Sequence, residues 1–188
     1  LSASTLNALD SSRLQALSKA VVGGLGTAQV AQLTTSVMAG LTNTQLSGLS
    51  TDAVKALKSE QIGALQYSQL NALGSDQIRA LGTDGLANLS SAVVQSLSTS
   101  AVSALALGQL SALGTTQWAG MTAKQLAGIS SANLVQLSST SVRALSSDAV
   151  TGLGSTQLSA LNTDQVSALT TAQVKALTTD QVVALTTD

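Results

Sequence analysis

Apolar and polar residues recur along this chain with a fixed period of eight residues. Counted from Leu1, the first position of every octad is Leu except at Met121 and Ile129, and 23 complete octads and four further residues follow without insertion or deletion. Position six is always apolar, position eight is usually Ala or Gly, position two is mostly a small polar residue or Gly, and position five is most often Gln. Octads are numbered from the N-terminus, so octad one is residues 1–8. The chain is therefore an array of internal repeats.

Each octad has the features of a helix start. In octad 22, "LTTAQVKA", Gln173 follows Thr170 by three residues, which is the spacing of a capping box. Leu169 and Val174 flank the pair at the spacing of a hydrophobic staple. Gly at position two, as at Gly154, is also an acceptable N-cap. Because the next start comes eight residues later, the sequence predicts one short helix per octad.

A single octad buries too little apolar surface to fold alone, so neighbouring octads must stack, as in a solenoid. One long helix would rotate its apolar positions by about 80° per octad, and a strand would need strict alternation of apolar and polar residues. The sequence therefore predicts an all-α solenoid of short capped helices, with a β-solenoid as the alternative. Small residues at position eight would let adjacent turns approach closely. No period of 16 or 24 residues is visible in Gly, Gln or charge, so the number of octads per coil stays open.

The uninterrupted register predicts one continuous solenoid over residues 1–188, cut from a longer protein whose neighbouring domains would be its partners. Charged residues make up 9% of the chain and the net charge is −1, which gives nucleic acid no basic surface to bind. No run of about 18 apolar residues could insert in a membrane. Without His or Cys, the usual catalytic triads and zinc sites are excluded, so we expect neither an enzyme nor a cofactor.

Two sets of polar side chains remain as candidate sites. Acids recur at position four, where they suit the start of a helix; Asp76 with Asp84, or Asp52 with Glu60, could instead approach each other and hold Ca²⁺. Position three is Ser or Thr in 17 of 23 octads, although the first residue of a helix needs no hydroxyl for capping. These hydroxyls either form a regular row on the surface, a ladder that could bind a ligand, or merely keep the protein soluble. The ladder would comprise Thr27, Thr35, Thr51, Thr83, Thr99, Thr115, Thr163, Thr171 and Thr179.

The phrase "ALTTDQV" resembles the repeats in low-complexity regions of very large bacterial surface and secreted proteins, including biofilm and RTX-type adhesins. That resemblance covers the whole chain and implies an extended spacer or adhesive stalk, located outside the cell or on its surface. The calcium-binding nonapeptide of RTX repeats is absent. "LTTDQVVAL" also looks like the first helix of a TAL-effector repeat, but the second helix and the base-reading loop are missing. "GSTQ" at 154–157 resembles ice-nucleation octads, although its hydroxyls are adjacent and do not alternate.

The sequence therefore predicts a structural or adhesive repeat region that acts as an elongated spacer. A surface-binding module for ice or polysaccharide, using the position-three ladder, is the alternative function. Apolar positions that are uncovered at the two ends predict end-to-end self-association.

Overall fold

The computed structural model describes residues 2–185. Within that range every octad contains one α-helix of four to seven residues that begins at position three, and there is no strand. The all-α prediction is confirmed. The helices are α1 Ala3–Asn7, α2 Ser11–Gln15, α3 Lys19–Gly23, α4 Thr27–Val30, α5 Thr35–Gly40, α6 Asn43–Leu46, α7 Thr51–Lys55, α8 Ser59–Gly63, α9 Tyr67–Asn71, α10 Ser75–Ala80, α11 Thr83–Ala87, α12 Ser91–Gln95, α13 Thr99–Ala104, α14 Leu107–Ser111, α15 Thr115–Ala119, α16 Ala123–Ala127, α17 Ser131–Leu134, α18 Ser139–Ala144, α19 Ser147–Val150, α20 Ser155–Ser159, α21 Thr163–Ser167, α22 Thr171–Ala176 and α23 Thr179–Leu185.

The helices start where the predicted caps lie. Position two has an extended backbone in α1–α22, as at Thr170, with φ −77° and ψ 159°. The Thr170 hydroxyl accepts a hydrogen bond from the Gln173 amide N–H at 3.2 Å, and the Gln173 side-chain oxygen accepts one from the Thr170 N–H at 2.7 Å. Gly154 has no capping side chain, but its N–H still donates to Gln157 Oε1 at 2.9 Å. The octad therefore specifies a helix start through its own local hydrogen bonds.

Positions one and six form the core. Position six is buried in every octad from Leu6 to Leu158, and Trp118 occupies it without loss of burial at 0% exposure. Burying such Leu and Val side chains contributes about 1.5–3 kcal/mol each. The side chain at position six becomes more exposed toward the C-terminal end, where Val174 is 46% and Val182 is 41% exposed. The staple partner Val174 is thus an exception to the general burial of position six.

Helices that are three octads apart pack against one another. The chain consists of two compact units, residues 1–89 and 90–188. In the first unit α7 packs against α10 and α8 against α11; in the second α15 packs against α18 and α19 against α22. Each unit is therefore wound as a solenoid whose successive coils are joined by helices three apart, as expected for stacked repeats.

Small residues at position eight are needed where two coils meet. A Cβ added to Gly152 would collide with the backbone carbonyl of Ala123, and one added to Gly128 would lie 2.7 Å from Thr99 Cγ2. Ala123 and Thr99 occupy position three of the octad three earlier. Residues 2–185 include no glycine with positive φ, so these glycines serve close approach and not an unusual backbone conformation. The predicted role of small residues at position eight is confirmed.

Candidate functional site

Glutamine at position five forms the main polar contact between coils. Gln165, at the third residue of α21, is 1% exposed. Its side-chain oxygen accepts from the N–H of Asn162, which is the cap of its own helix, at 3.1 Å. Its Nε2 group donates to the carbonyl oxygens of Leu134 and Leu137 at 2.9 and 2.8 Å. One amide therefore caps its own helix and binds the preceding coil.

The same bonds recur at a constant sequence separation. The acceptors lie 31 and 28 residues before the glutamine, at position six of one octad and position one of the next. One coil therefore takes between three and four octads, the number that the sequence left open. Donor–acceptor distances that connect these positions range from 2.6 to 3.5 Å for Gln45, Gln61, Gln69, Gln77, Gln125, Gln157, Gln165 and Gln173.

The sequence suggested only the capping half of this role. Two signals in the sequence bear on the other half. Gln also follows Gly or Ala at position two, as in the pairs Gly74–Gln77 and Ala106–Gln109, but there it still accepts from the cap N–H, so only the second signal separates the two roles. No octad has Glu at position five, although Glu serves a capping box equally well. Only the amide of Gln can accept from the cap and also donate to carbonyls, because a carboxylate has no hydrogen to donate.

The nine threonines of the predicted ladder are exposed, and each is the first residue of its helix. Consecutive octads occupy different positions around a coil, because the helices that pack directly are three octads apart. Among the nine, Thr27 and Thr51 lie on two helices that pack against each other, α4 and α7. The helices of other ladder threonines pack against helices that begin with a different residue: α15, which begins at Thr115, packs against α18, which begins at Ser139, and α22, which begins at Thr171, packs against α19, which begins at Ser147.

The acids that the fold brings together are three octads apart. Glu60 and Asp84 line one cavity of about 410 Å³, together with Lys58, Leu57 and Gly82. The calcium hypothesis instead pairs acids on consecutive octads, Asp76 with Asp84 or Asp52 with Glu60. Among residues 2–185 no three His, Cys, Asp or Glu side chains are grouped so that they could hold a metal ion.

The ion pairs of the described chain lie on its surface. Arg79 and Asp76 form one at 3.1 Å within α10, and Arg13 pairs with Asp10 at 3.5 Å. Such exposed pairs contribute little to stability, about 0–1 kcal/mol. They belong to a solvated helix surface.

The two aromatic residues differ in environment. Tyr67 is 54% exposed at the start of α9. Trp118 is fully buried in α15, and within the described part of the chain its indole N–H has no hydrogen-bond partner. Trp118 is the only tryptophan, so its fluorescence reports on this one position of the core.

The architecture is that of a helical repeat solenoid. Residues 38–67, 126–163, 139–171 and 156–187 match the ALTTAQ repeat family, and together these ranges cover just under half of the chain. The chain is thus similar to that family over those octads, and the match supports a repeat protein. A comparison with curated proteins finds no significant match. No helix in residues 2–185 has the length and apolarity needed to cross a bilayer.

Proposed function

We propose that this chain is a non-catalytic structural spacer, a repeat region exposed outside the cell or on its surface and joined to other domains of a longer protein. The observation that carries the proposal is the equivalence of the octads. Within residues 2–185 each contributes one helix, most contribute two buried core residues, and many contribute one glutamine that binds the preceding coil. An array of this kind can be lengthened by whole octads without any new type of contact.

Small-angle X-ray scattering tests the spacer role. A compact chain of 188 residues has a radius of gyration of about 16 Å. The proposal predicts a clearly larger value. Duplicating residues 153–176, which are octads 20–22, should increase the maximum dimension while leaving the cross-sectional radius unchanged. A radius near the compact value, or an added segment that thickens the particle, contradicts the proposal. Antibody labelling of intact producing cells tests the surface location.

The adhesive role and the surface-binding alternative both depend on exposed groups. All nine threonines of the ladder are accessible, which is the observation that favours binding to ice or polysaccharide. Recrystallisation inhibition by the intact protein at micromolar concentration, lost when Thr27 and Thr51 are both replaced by Ala, would favour surface binding over a plain spacer. Activity that survives in that double variant would mean that the directly packed threonines are not the site.

End-to-end association stays a prediction. The exposed Val174 and Val182 side chains on α22 and α23 are apolar surface that such a contact would bury. Sedimentation velocity over a range of protein concentrations tests it. Association that weakens when both valines are replaced by Ser supports this face as the contact, and a monomer at all concentrations contradicts it.

A further inference from the structure

Glutamine is not spread evenly over the octads. From octad eight onward it occupies position five in octads 8–10, 14–16 and 20–23, and it is absent from octads 11–13 and 17–19. The array therefore has a second period of six octads. Since one coil takes between three and four octads, a glutamine-free stretch of the second unit, octads 17–19, lies between two stretches with glutamine, octads 14–16 and 20–23.

The second unit contains both kinds of interface. In the glutamine seam, Gln157, Gln165, Gln173 and Gln181 donate to carbonyls of the preceding coil. These four side chains are 1–9% exposed, so their bonds are shielded from water. Octads 20–23 are held in this way on octads 16–20.

The glutamine-free seam lies one coil earlier, where α18 packs against α15 and α19 against α16. Position five is here Asn133, Ser141 and Ala149. Ala149 is 0% exposed and has no donor, and the Ser141 hydroxyl bonds to Ser138 within its own helix cap at 2.9 Å. Neither side chain carries an amide across to the preceding coil.

The two seams also differ in how much apolar surface they bury. At the glutamine-free seam the apolar residues at positions one and six are buried on both sides, for example Leu137 and Leu134, or Leu113 and Leu110. At the glutamine seam they are buried on the earlier side, whereas Val174 and Val182 on the later side are 46% and 41% exposed. The glutamine seam therefore has less apolar burial than the glutamine-free seam, and what it has in addition is the bonds of the position-five amides. The boundary between the two compact units, between Leu89 and Ser90, also falls within a glutamine-free run, that of octads 11–13.

We propose that the second unit opens in steps, with the glutamine-free seam separating before the glutamine seam. Octads 17–23 then detach from the preceding octads as one block that keeps the bonds of Gln165, Gln173 and Gln181, whereas the bond from Gln157 to Leu126 in octad 16 breaks. The proposal concerns the chain itself and holds whether or not the protein is a spacer. In a spacer under tension, the glutamine-free seam would be the first interface to separate.

Trp118 is the natural probe, because it is buried on α15, which packs against α18 across the glutamine-free seam. Acrylamide quenching of Trp118 reports the opening of that seam, and far-UV circular dichroism reports the loss of helix, both followed through a urea titration. In the unaltered protein, Trp118 should become quenchable at a lower urea concentration than that at which helix is lost. Coincident transitions would overturn the proposal.

Two variants should each reduce the difference in urea concentration between the quenching of Trp118 and the loss of helix, one by moving the first transition and the other by moving the second. Ser141→Gln places an amide in register with the Leu110 and Leu113 carbonyls and should lower the quenchable population of Trp118 at low urea about tenfold, the effect of roughly one to two net hydrogen bonds. Gln165→Ser weakens the other seam, so it should move the loss of helix to lower urea and leave the Trp118 step in place. If Ser141→Gln fails to fold, Asn133→Gln serves the same purpose, because it also adds a glutamine at position five of the glutamine-free seam. A Trp118 step that no added glutamine shifts would contradict the proposal.

Discussion

Replacing Gln165 by Glu separates the two roles of the amide. A carboxylate still fits the slot and still accepts from the Asn162 N–H, but it cannot donate to the Leu134 and Leu137 carbonyls. Each lost amide–carbonyl bond costs about 1 kcal/mol net, and a buried charge that faces two carbonyl oxygens adds to this. Because Gln165 is 1% exposed, water does not compensate. We expect the free energy of unfolding of the second unit to fall by about 4 kcal/mol at neutral pH.

The cost should depend on pH in a defined direction. Burial and the facing carbonyls raise the pKa of the introduced carboxyl above the value of about 4.3 that it has in the unfolded chain. The folded state therefore tolerates the protonated form best, so the destabilisation is full above the raised pKa and shrinks as the pH falls through it toward 4. The protonated carboxyl can also donate to one of the two carbonyls.

Urea denaturation monitored by far-UV circular dichroism, at pH 7 and near pH 4, measures both effects. Gln95→Glu is the matched control: Gln95 is exposed at position seven, and the same change there should alter stability by less than about 0.5 kcal/mol. Equal stability of the two variants at pH 7, or a cost at position 165 that does not shrink in acid, would refute the proposed role of the amide donor.

Two further predictions use matched pairs of substitutions read out by the same denaturation assay. Leu113→Ser removes a core side chain that is 6% exposed and should lower the free energy of unfolding by about 3 kcal/mol or more. Ser111→Ala on the exposed surface should change it by less than about 0.5 kcal/mol. Similar changes at the two positions would mean that the assignment of core positions is wrong. Gly152→Ala introduces a Cβ against the Ala123 backbone and should lower the free energy of unfolding by about 1–3 kcal/mol. Gly108→Ala lies in α14, where a Cβ meets nothing within 4 Å, and should raise it by up to about 1 kcal/mol. A gain in stability at both positions would contradict the close approach of the coils.

The local features of the fold could be predicted from the sequence because they depend on neighbours within one octad. The cap at Thr170 and the helix that follows it derive from interactions over fewer than eight residues, and the apolar core positions are visible in the sequence because they recur in every octad. Close packing at position eight could also be predicted, because Gly and Ala there have no other evident use. These are the features that local hydrogen bonding and side-chain size determine.

The winding of the coil could not be predicted in this way. The acceptors of Gln165 are backbone carbonyls, which every octad has, so no second side chain varies with the glutamine to reveal which octads touch. For the same reason the sequence alone pairs acids on consecutive octads, whereas Glu60 and Asp84, three octads apart, line one cavity. Because the octads are alike, their sequences do not show which of them contact one another.

Engineered disulfides test the coil register most directly, because the chain has no cysteine of its own. A Cβ added to Gly120 would lie 3.2 Å from the Ser91 Cβ, and one added to Gly128 lies against Thr99. Disulfides require Cβ atoms about 3.5–4.5 Å apart, which a small adjustment satisfies. Under mild oxidation, Ser91→Cys with Gly120→Cys and Thr99→Cys with Gly128→Cys should each cross-link and migrate faster on a denaturing gel. The exchanged pairs, Ser91→Cys with Gly128→Cys and Thr99→Cys with Gly120→Cys, should not; cross-linking of the exchanged pairs as readily as the matched pairs would contradict a solenoid in which helices three octads apart are neighbours.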